Sequence, residues 1–436
     1  MNKKIKKIAI WVLAIIFTLL VSSAIVSYIY KDKIFKWVTQ ELGNQINGKV
    51  TISEIDLSFW SSFPNVSIQL HDVLAMSTPN FKKQEFKATN TDTAIVAKKI
   101  TFGFNIIDFF NERYIVKEIK IRNASVNFFI DTKGNHNWNF IKESNDTTKS
   151  DAFVELSKIS FYNTLLQFHN SENQLFTKDF FSHAYLTGKF VDQGFALHVD
   201  TELTSKILQI KNDSYLQNID FEIDISVAQT NSFLQIISAS IETDFANIQS
   251  DGNLTFKKNG ILSKLNYSIS IPKLQETFSF FPSSVAKILS ENKLEGSLES
   301  KGKINGMISN SELPAFSCTF NYKEGSFSYV KNTYTFDISG NLQSNDLGNL
   351  NHYTFTNGAV NVVSNESKLQ GTLDIKNFDN MLINLKSTIN LDLVDIREFL
   401  PTTDYIVEGK IDGSFNYAGT LTELQNFSTT LFDNST

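Results

Sequence analysis

The segment INLKSTINLDL, from Ile383 to Leu393, alternates apolar and polar residues almost without interruption. Successive side chains of a β-strand point to opposite faces, so a period of two is typical of a strand that buries one face. Only Ser387 interrupts the apolar series, which includes Ile383, Leu385, Ile389 and Leu391. The segment therefore predicts a strand of an antiparallel sheet, with its second face in water.

The same alternation recurs along most of the chain. Ile223 and Ile225 alternate with the acidic residues Glu222 and Asp224, and further examples lie at Tyr267–Ile271 and Tyr334–Ile338. The 436 residues include 38 Phe but only 6 Pro, a composition that suits strands and is poor material for disorder. Few stretches have helical spacing. The sequence therefore predicts a mainly β protein built from repeated antiparallel hairpins.

Two architectures fit this pattern. In a closed sandwich, the apolar faces of two sheets cover one another; in an elongated, curved antiparallel sheet, the apolar face lines an open groove. Such a groove suits acyl chains, because each CH₂ group removed from water contributes ~0.8 kcal/mol. Alternation selects six candidate lipid-binding residues, which would equally form a sheet-on-sheet core: Ile223, Ile225, Ile383, Leu385, Ile389 and Leu391.

The N-terminus predicts a membrane anchor. Four lysines precede an uncharged apolar run from Ile8 to Tyr30, and ~20 residues of helix cross a bilayer core. Because Ser22, Ser23 and Ala24 keep a cleavage site open, a cleavable signal peptide is the alternative. Asp32–Leu42 has roughly helical spacing and predicts a short amphipathic helix. Lysines flank the run on both sides, so the positive-inside rule favours a cytoplasmic N-terminus only slightly.

The chain after the anchor divides at a polar segment, SNDTTKSD, residues 144–151. We therefore expect a cytoplasmic tip and anchor at 1–31, an N-terminal β domain at 32–143, this linker, and a β-repeat region at 152–436. The first domain opens with a hairpin in which Val66, Ile68 and Leu70 alternate with polar residues. Further strands are expected at Ala94–Phe104, Ile115–Ile121 and Val126–Ile130.

No motif for catalysis or cofactor binding emerges. The six histidines form no metal-binding pair, and Cys318 is alone, so neither a cysteine metal cluster nor an intrachain disulfide is available. Nucleotide-binding loops and nucleophile elbows are absent from the sequence. The net charge is -6 and basic residues form no block beyond the first seven positions, which argues against nucleic-acid binding. We therefore expect a non-enzymatic protein without cofactor or metal.

Four features follow one another in the first 140 residues: the anchor, the hairpin Val50–Ala75, the segment Ile106–Ile130 and the turn DTKGNHNWNF at Asp131–Phe140. In this order they resemble the AsmA family of Gram-negative envelope proteins. Within this turn, Gly134, Asn137 and Trp138 match the family's Gly-x-x-Asn-Trp pattern. The match is specific over about Met1–Ile141. It is looser over Ala184–Thr436, where it rests on GSLESKGKINGMISNSELPAFS, from Gly296, and on the strand rhythm.

The resemblance implies a single-pass inner-membrane protein with its N-terminus in the cytoplasm and its bulk in the periplasm. It also implies kinship with TamB-like and chorein-like bridge proteins, hence phospholipid binding or transport, envelope protein partners and a role in outer-membrane biogenesis. Because family members commonly continue into further repeats, the chain is either a short member or part of a longer protein. The alternative function is an anchored β-sandwich scaffold of the cell envelope without lipid cargo.

Overall fold

A computed structural model describes the chain at residues 36, 49–62, 65–78, 80–86, 90–105, 107–108, 111, 115–138, 154–191, 194–281, 283–291, 294–309, 312–329, 332–396 and 408–423. The predicted anchor at Ile8–Tyr30 lies outside these residues, as do the linker at 144–151 and the amphipathic helix at Asp32–Leu42 apart from Lys36. Among the helices in the described residues, none is long and apolar enough to cross a membrane.

The chain divides into two compact units, residues 1–192 with 197–220 and residues 193–196 with 221–436. The sequence places a boundary earlier, at 144–151, and that boundary stays a prediction. Strands dominate both units, which confirms the predicted mainly β class. The first unit contains most of nine strands: β1 (Val50–Thr51), β2 (Glu54–Ser62), β3 (Asn65–Met76), β4 (Thr93–Phe104), β5 (Val116–Ile130), β6 (Val154–Asn170), β7 (Leu175–Val191), β8 (Gly194–Ile210) and β9 (Asp213–Tyr215).

Strands β2 to β5 of the first unit pair antiparallel in chain order, with β1 also paired to β3. β5 and β6 are parallel, whereas the sequence predicts only antiparallel neighbours. Parallel strands need a crossover connection of about a dozen residues or more, and the residues between Trp138 and Val154 provide that length. β6 then pairs antiparallel with β7, and β8 with β9.

In the first unit, the alternation of apolar and polar side chains changes phase at a row of residues that crosses its strands. In β3, Leu70 and Val73 belong to the same buried cluster although three positions separate them. Asp72, between them, has a φ of 45°, and this left-handed residue exchanges the two faces of the strand. Asn123 of β5 and Asn163 of β6 have φ values of 51° and 48°, and Asn163 Nδ2 donates to Asn123 Oδ1 at 3.3 Å.

The second unit is an antiparallel series in which each strand pairs with the next. Its strands are β10 (Ile219–Thr230), β11 (Phe233–Thr243), β12 (Ala246–Lys257), β13 (Gly260–Ile271), β14 (Glu295–Ile308), β15 (Ala315–Tyr329), β16 (Asn332–Ser344), β17 (Thr354–Ser364), β18 (Ser367–Lys376), β19 (Leu382–Asp392) and β20 (Lys410–Thr420).

Short helices connect some of these strands. Helix α1 (Ser283–Glu291) and helix α2 (Leu393–Ile396) precede β14 and β20, respectively. Segments of 3₁₀-helix lie at Lys83–Glu85, Leu274–Phe280 and Leu350–His352.

Fully buried apolar residues concentrate in the first unit. One cluster contains Ile55, Val66, Ile68, Leu70, Val73 and Phe104, and a second contains Phe81, Phe86 and Phe129. In the described part of the second unit, the buried hydrophobic residues are Ala246, Tyr334, Phe355 and Val360. Within the described residues, the second unit therefore has fewer buried apolar side chains than the first.

Candidate functional site: the apolar face of the second unit

One face of the second unit is apolar from its first strand to its last. Residues directly opposite each other on paired strands share a face, so the register traces the face across the sheet. One such row runs Ile225, Ala239, Ser250, Tyr267, Gly302, Cys318, Leu342, Phe355, Ile375 and Ile383. We call this side of β10 to β20 the apolar face.

All six residues selected by alternation lie on the apolar face. Ile223 and Ile225 are half-buried, whereas their neighbours Glu222 and Asp224 are exposed. In β19 the half-buried residues Ile383, Leu385, Ile389 and Leu391 alternate with the exposed residues Asn384, Lys386, Thr388 and Asn390. The predicted alternation is thus confirmed in both strands, and the register joins the two groups into one surface.

The side chains of the apolar face are mostly half-buried rather than buried. Every described strand of the second unit belongs to the same hydrogen-bonded series, so this unit has no second sheet within the described residues. In a sheet-on-sheet core, side chains of two inner faces interdigitate and lose contact with water. The described residues of the second unit therefore do not form the dry core that a sandwich requires.

Aromatic rings lie against glycines of the same strand or of a neighbouring strand on this face. A Cβ atom built on Gly340 would lie 2.3 Å from Cε2 of Phe355, and one built on Gly358 would lie 2.5 Å from Cε1 of the same ring. A Cβ on Gly302 would lie 2.8 Å from Cζ of Tyr267. Since real Cβ contacts are longer, only glycine permits these ring positions, which keep the rings close to the backbone and the surface shallow.

A 3₁₀-helix borders the apolar face near β10 to β12. Phe280, at the end of the segment Leu274–Phe280, stacks on Phe221 of β10 with 6.3 Å between ring centroids. The same ring packs on Phe245, beside the turn into β12, at 5.2 Å. Thr277 Oγ1 donates to Leu274 O at 2.6 Å, which closes the helical turn. The segment therefore covers one edge of the face.

Asp395 of helix α2 fixes the same edge farther along the sheet. Its carboxylate accepts hydrogen bonds from Asn365 Nδ2 at 2.9 Å and from Glu366 N at 3.2 Å. Its carbonyl oxygen accepts from Tyr334 Oη and Asn332 Nδ2, both at 3.0 Å. Burial raises the pKa of Asp395, but the hydrogen bonds from Asn365, Ser367 and Glu366 outweigh this effect and lower the pKa below its usual value. Asp395 thus ties two strand turns together.

Aromatic residues border the opposite edge. The Tyr353 ring lies 5.5 Å from the Phe316 ring and 5.8 Å from the Phe378 ring. Tyr353 Oη donates to Leu347 O at 2.9 Å, which holds the loop between β16 and β17 against these rings. The apolar face therefore has a packed border at each end of its strands.

The turn that carries the family resemblance lies in the first unit and is rigidly bonded. Asn137 is buried; its Oδ1 accepts from Phe129 N at 2.9 Å, and its Nδ2 donates to Ser77 Oγ and Asn127 O, both at 2.9 Å. Gly134 has a φ of 79°, which favours glycine. The Trp138 ring packs on Phe128 at 4.8 Å. These contacts give the three matched residues a structural role.

Asp131 completes this turn, and its role follows only from the structure. Burial raises the pKa of Asp131, but hydrogen bonds from Asn135 Nδ2 and from the backbone N–H groups of Asn135, Lys133 and Lys82 outweigh burial and lower the pKa to about 2. Asp131 therefore joins the turn to the loop that precedes Lys83–Glu85. Sequence reasoning placed Asp131 in the turn but assigned no role to Asp131 or to Asp395, although the spacing of Asp131 before Gly134 signals a side-chain-bonded turn.

Among the described residues, no group of three His, Cys, Asp or Glu is placed to hold a metal ion. His169 packs edge-on against Phe86 at 4.9 Å, and burial lowers its pKa, so its ring is neutral at pH 7. Cys318 is a free thiol on the apolar face. The apolar face is the candidate functional site.

Comparisons with protein-family models, curated proteins and solved structures gave no match for this chain.

Proposed function

We propose that this protein is an inner-membrane-anchored periplasmic protein of the AsmA type whose apolar face forms an elongated groove for phospholipid. The acyl chains lie along the face, and the headgroups stay in water. The protein thereby holds or conducts phospholipid between the two membranes and supports outer-membrane biogenesis, without catalysis. The anchor, the orientation and the family are carried by the N-terminal sequence and by the Asp131–Phe140 turn.

One observation carries the lipid proposal: the apolar face continues across eleven strands, and its aliphatic side chains in β10 and β19 are half-buried rather than buried. Contiguous apolar surface beyond a few hundred Å² on a soluble domain usually marks a binding site. A flexible hydrocarbon chain matches such a surface better than a polar ligand does, because the face presents aliphatic and aromatic side chains. Cys318, glycines and serines interrupt it without adding charge.

The orientation of the strands sets how a lipid would lie. The rows of the apolar face cross the strands, so an acyl chain that follows a row contacts a different strand about every 4.8 Å. An acyl chain in this orientation contacts side chains from several hairpins and none of the polar side chains on the reverse face. Sliding along a row, from one strand to the next, replaces similar contacts with similar contacts, which favours movement along the sheet.

Native mass spectrometry of the full-length chain in mild detergent, with lipid extraction, tests the proposal. We expect phospholipid bound in defined stoichiometry. The double variant Leu385→Glu, Ile389→Glu would bring charge onto the apolar face and abolish lipid binding. The matched double variant Asn384→Glu, Thr388→Glu would place the same charges on the exposed reverse face of β19 and retain lipid binding. Far-UV circular dichroism verifies that both variants fold.

A lipid-free chain of high stability would contradict the proposal and favour the scaffold alternative. Equal lipid loss from both double variants would also contradict the proposal. The lipid would then respond to added charge on either face of β19, and binding would not be specific to the apolar face. Unfolding of the Leu385→Glu, Ile389→Glu variant alone would indicate that these side chains form a closed core.

A further inference from the structure

We propose that the first unit carries an anion site, at which Lys99 and Arg122 bind a phosphate group. The two residues are directly opposite each other on the antiparallel strands β4 and β5. Cβ atoms of such pairs are ~5 Å apart, and like charges in this arrangement destabilise a sheet. Neither residue makes an ion pair with a carboxylate of the described part of the chain. The pair therefore concentrates positive charge that the fold itself does not neutralise.

The neighbours of this pair orient its donors. The Arg122 guanidinium lies over the Tyr162 ring, 4.2 Å from the centroid. A guanidinium stacked on a ring keeps the N–H groups at its edge available, and their fork geometry matches two oxygens of a phosphate. Arg122 itself is exposed, so a ligand reaches these groups without displacing the backbone.

An unsatisfied hydroxyl lies in the adjacent row of the same face. Ser160 of β6 is paired with Lys120 on one side and with Tyr185 on the other. Its side chain is fully buried, and its Oγ has no hydrogen-bond partner among the described residues. Buried polar groups are normally hydrogen-bonded. A phosphate oxygen that enters between the flanking side chains would supply the missing acceptor.

Some of the acidic groups near this row lie beside the histidines at its two ends. At one end, His71 Nε2 lies 3.3 Å from Asp56 Oδ2. At the other, the two nitrogens of His183 lie 3.4 Å from Glu202 Oε2 and 3.6 Å from Asp200 Oδ1. In the row between the histidines, the register places Lys99, Arg122 and Tyr162. An anion is therefore expected at the centre of the row.

Calorimetric titration of the full-length chain in a non-ionic detergent tests the site, with inorganic phosphate and dihexanoyl phosphatidylglycerol as separate probes. We expect saturable binding that Lys99→Gln and Arg122→Gln each weaken roughly 10- to 100-fold. Arg122→Lys should recover part of the affinity because it keeps the charge but loses the fork. The control Lys206→Gln removes an exposed lysine of β8 and should change nothing.

The outcomes separate a binding role from a structural one. Binding of both probes indicates a site for phosphate itself, and binding of phosphatidylglycerol alone indicates a lipid headgroup. The proposal would be overturned if neither probe binds. It would also be overturned if Lys206→Gln weakens binding as much as Lys99→Gln and Arg122→Gln do. Lys99→Gln should leave the melting temperature unchanged or raise it, since it removes a repulsion; a clear fall would mean a structural role instead. The Leu385→Glu, Ile389→Glu variant should bind phosphate normally, which separates this site from the groove.

Discussion

Gly340→Ala tests whether aromatic rings against glycines shape the apolar face. The new Cβ would lie 2.3 Å from Cε2 and 2.6 Å from Cζ of Phe355. Phe355 is 3% exposed and also lies against Gly358, so its ring has no free space toward that neighbour. Overpacking of this kind costs ~1–3 kcal/mol, and partial exposure of a phenyl ring costs ~1 kcal/mol more.

The substitution also has a favourable term. Replacing glycine by alanine stabilises by ~0.4–1 kcal/mol through the unfolded chain. The net expectation is a loss of ~1–3.5 kcal/mol, which lowers the melting temperature by roughly 2–14 °C in a unit of this size. Gly413→Ala is the matched control, because a Cβ at Gly413 would have no neighbour within 4 Å. It should leave stability unchanged or raise it slightly.

Urea unfolding of the full-length chain, followed by pulsed alkylation of Cys318, measures this effect inside the second unit. Cys318 is the only cysteine and lies on the apolar face. Trp138 packs on Phe128 in the first unit, so its fluorescence, in a chain whose other tryptophans are replaced by Phe, provides an internal control. Equal stability of the Gly340→Ala and Gly413→Ala chains would refute the proposed ring packing. A double variant with Phe355→Leu should recover part of the loss, since it shortens the side chain that the new Cβ meets.

Three further predictions concern other groups. A probe on Cys318 should be quenched more strongly by phospholipids spin-labelled along the acyl chain than by headgroup-labelled ones, and equal quenching would argue against acyl chains on the apolar face. Asp131 has a pKa of about 2, below its usual 3.8. Its contribution to stability is therefore complete above about pH 4 and is lost as the pH falls through 2; Asp131→Asn should flatten this part of the unfolding curve. Asp395→Ala should cost ~1–3 kcal/mol in urea unfolding, because the side chain of Asn365 and the N–H of Glu366 lose their acceptor.

Alternation in the sequence was sufficient to locate the apolar face. It assigned Ile223 and Ile225 to the same side as each other, and likewise Leu385 and Ile389, because both strands lack bulges at those positions. It could not show that β10 and β19 contribute to one surface. That relation depends on the register of all the intervening strands, including the shifts between Ser226 and Val227 and between Phe355 and Gly358.

The first unit shows why local pattern misjudges strand ends. Ile115–Ile121 and Val126–Ile130 are predicted as two strands, but they belong to one strand, β5. Asn123 takes a left-handed conformation there and reverses the alternation without ending the strand. In the sequence, a change of phase looks the same whether the strand ends or continues with its two faces exchanged. The parallel pairing of β5 with β6 is hidden for a related reason, since it depends on the path of the chain after Trp138.

Within the described residues of the second unit, packing against glycines and at the strand ends stabilises a sheet that has no second sheet beside it. Glycines such as Gly340 let rings lie on the backbone, so part of each ring is shielded by its own sheet. Phe280 and Tyr353 pack at opposite edges, where the strands end and the ladder of hydrogen bonds is weakest. In the middle of β19, Leu385 and Ile389 remain half-buried. Full burial of an aliphatic side chain contributes ~1.5–3 kcal/mol, so a hydrocarbon ligand that covers the part still exposed adds a fraction of that free energy at each residue.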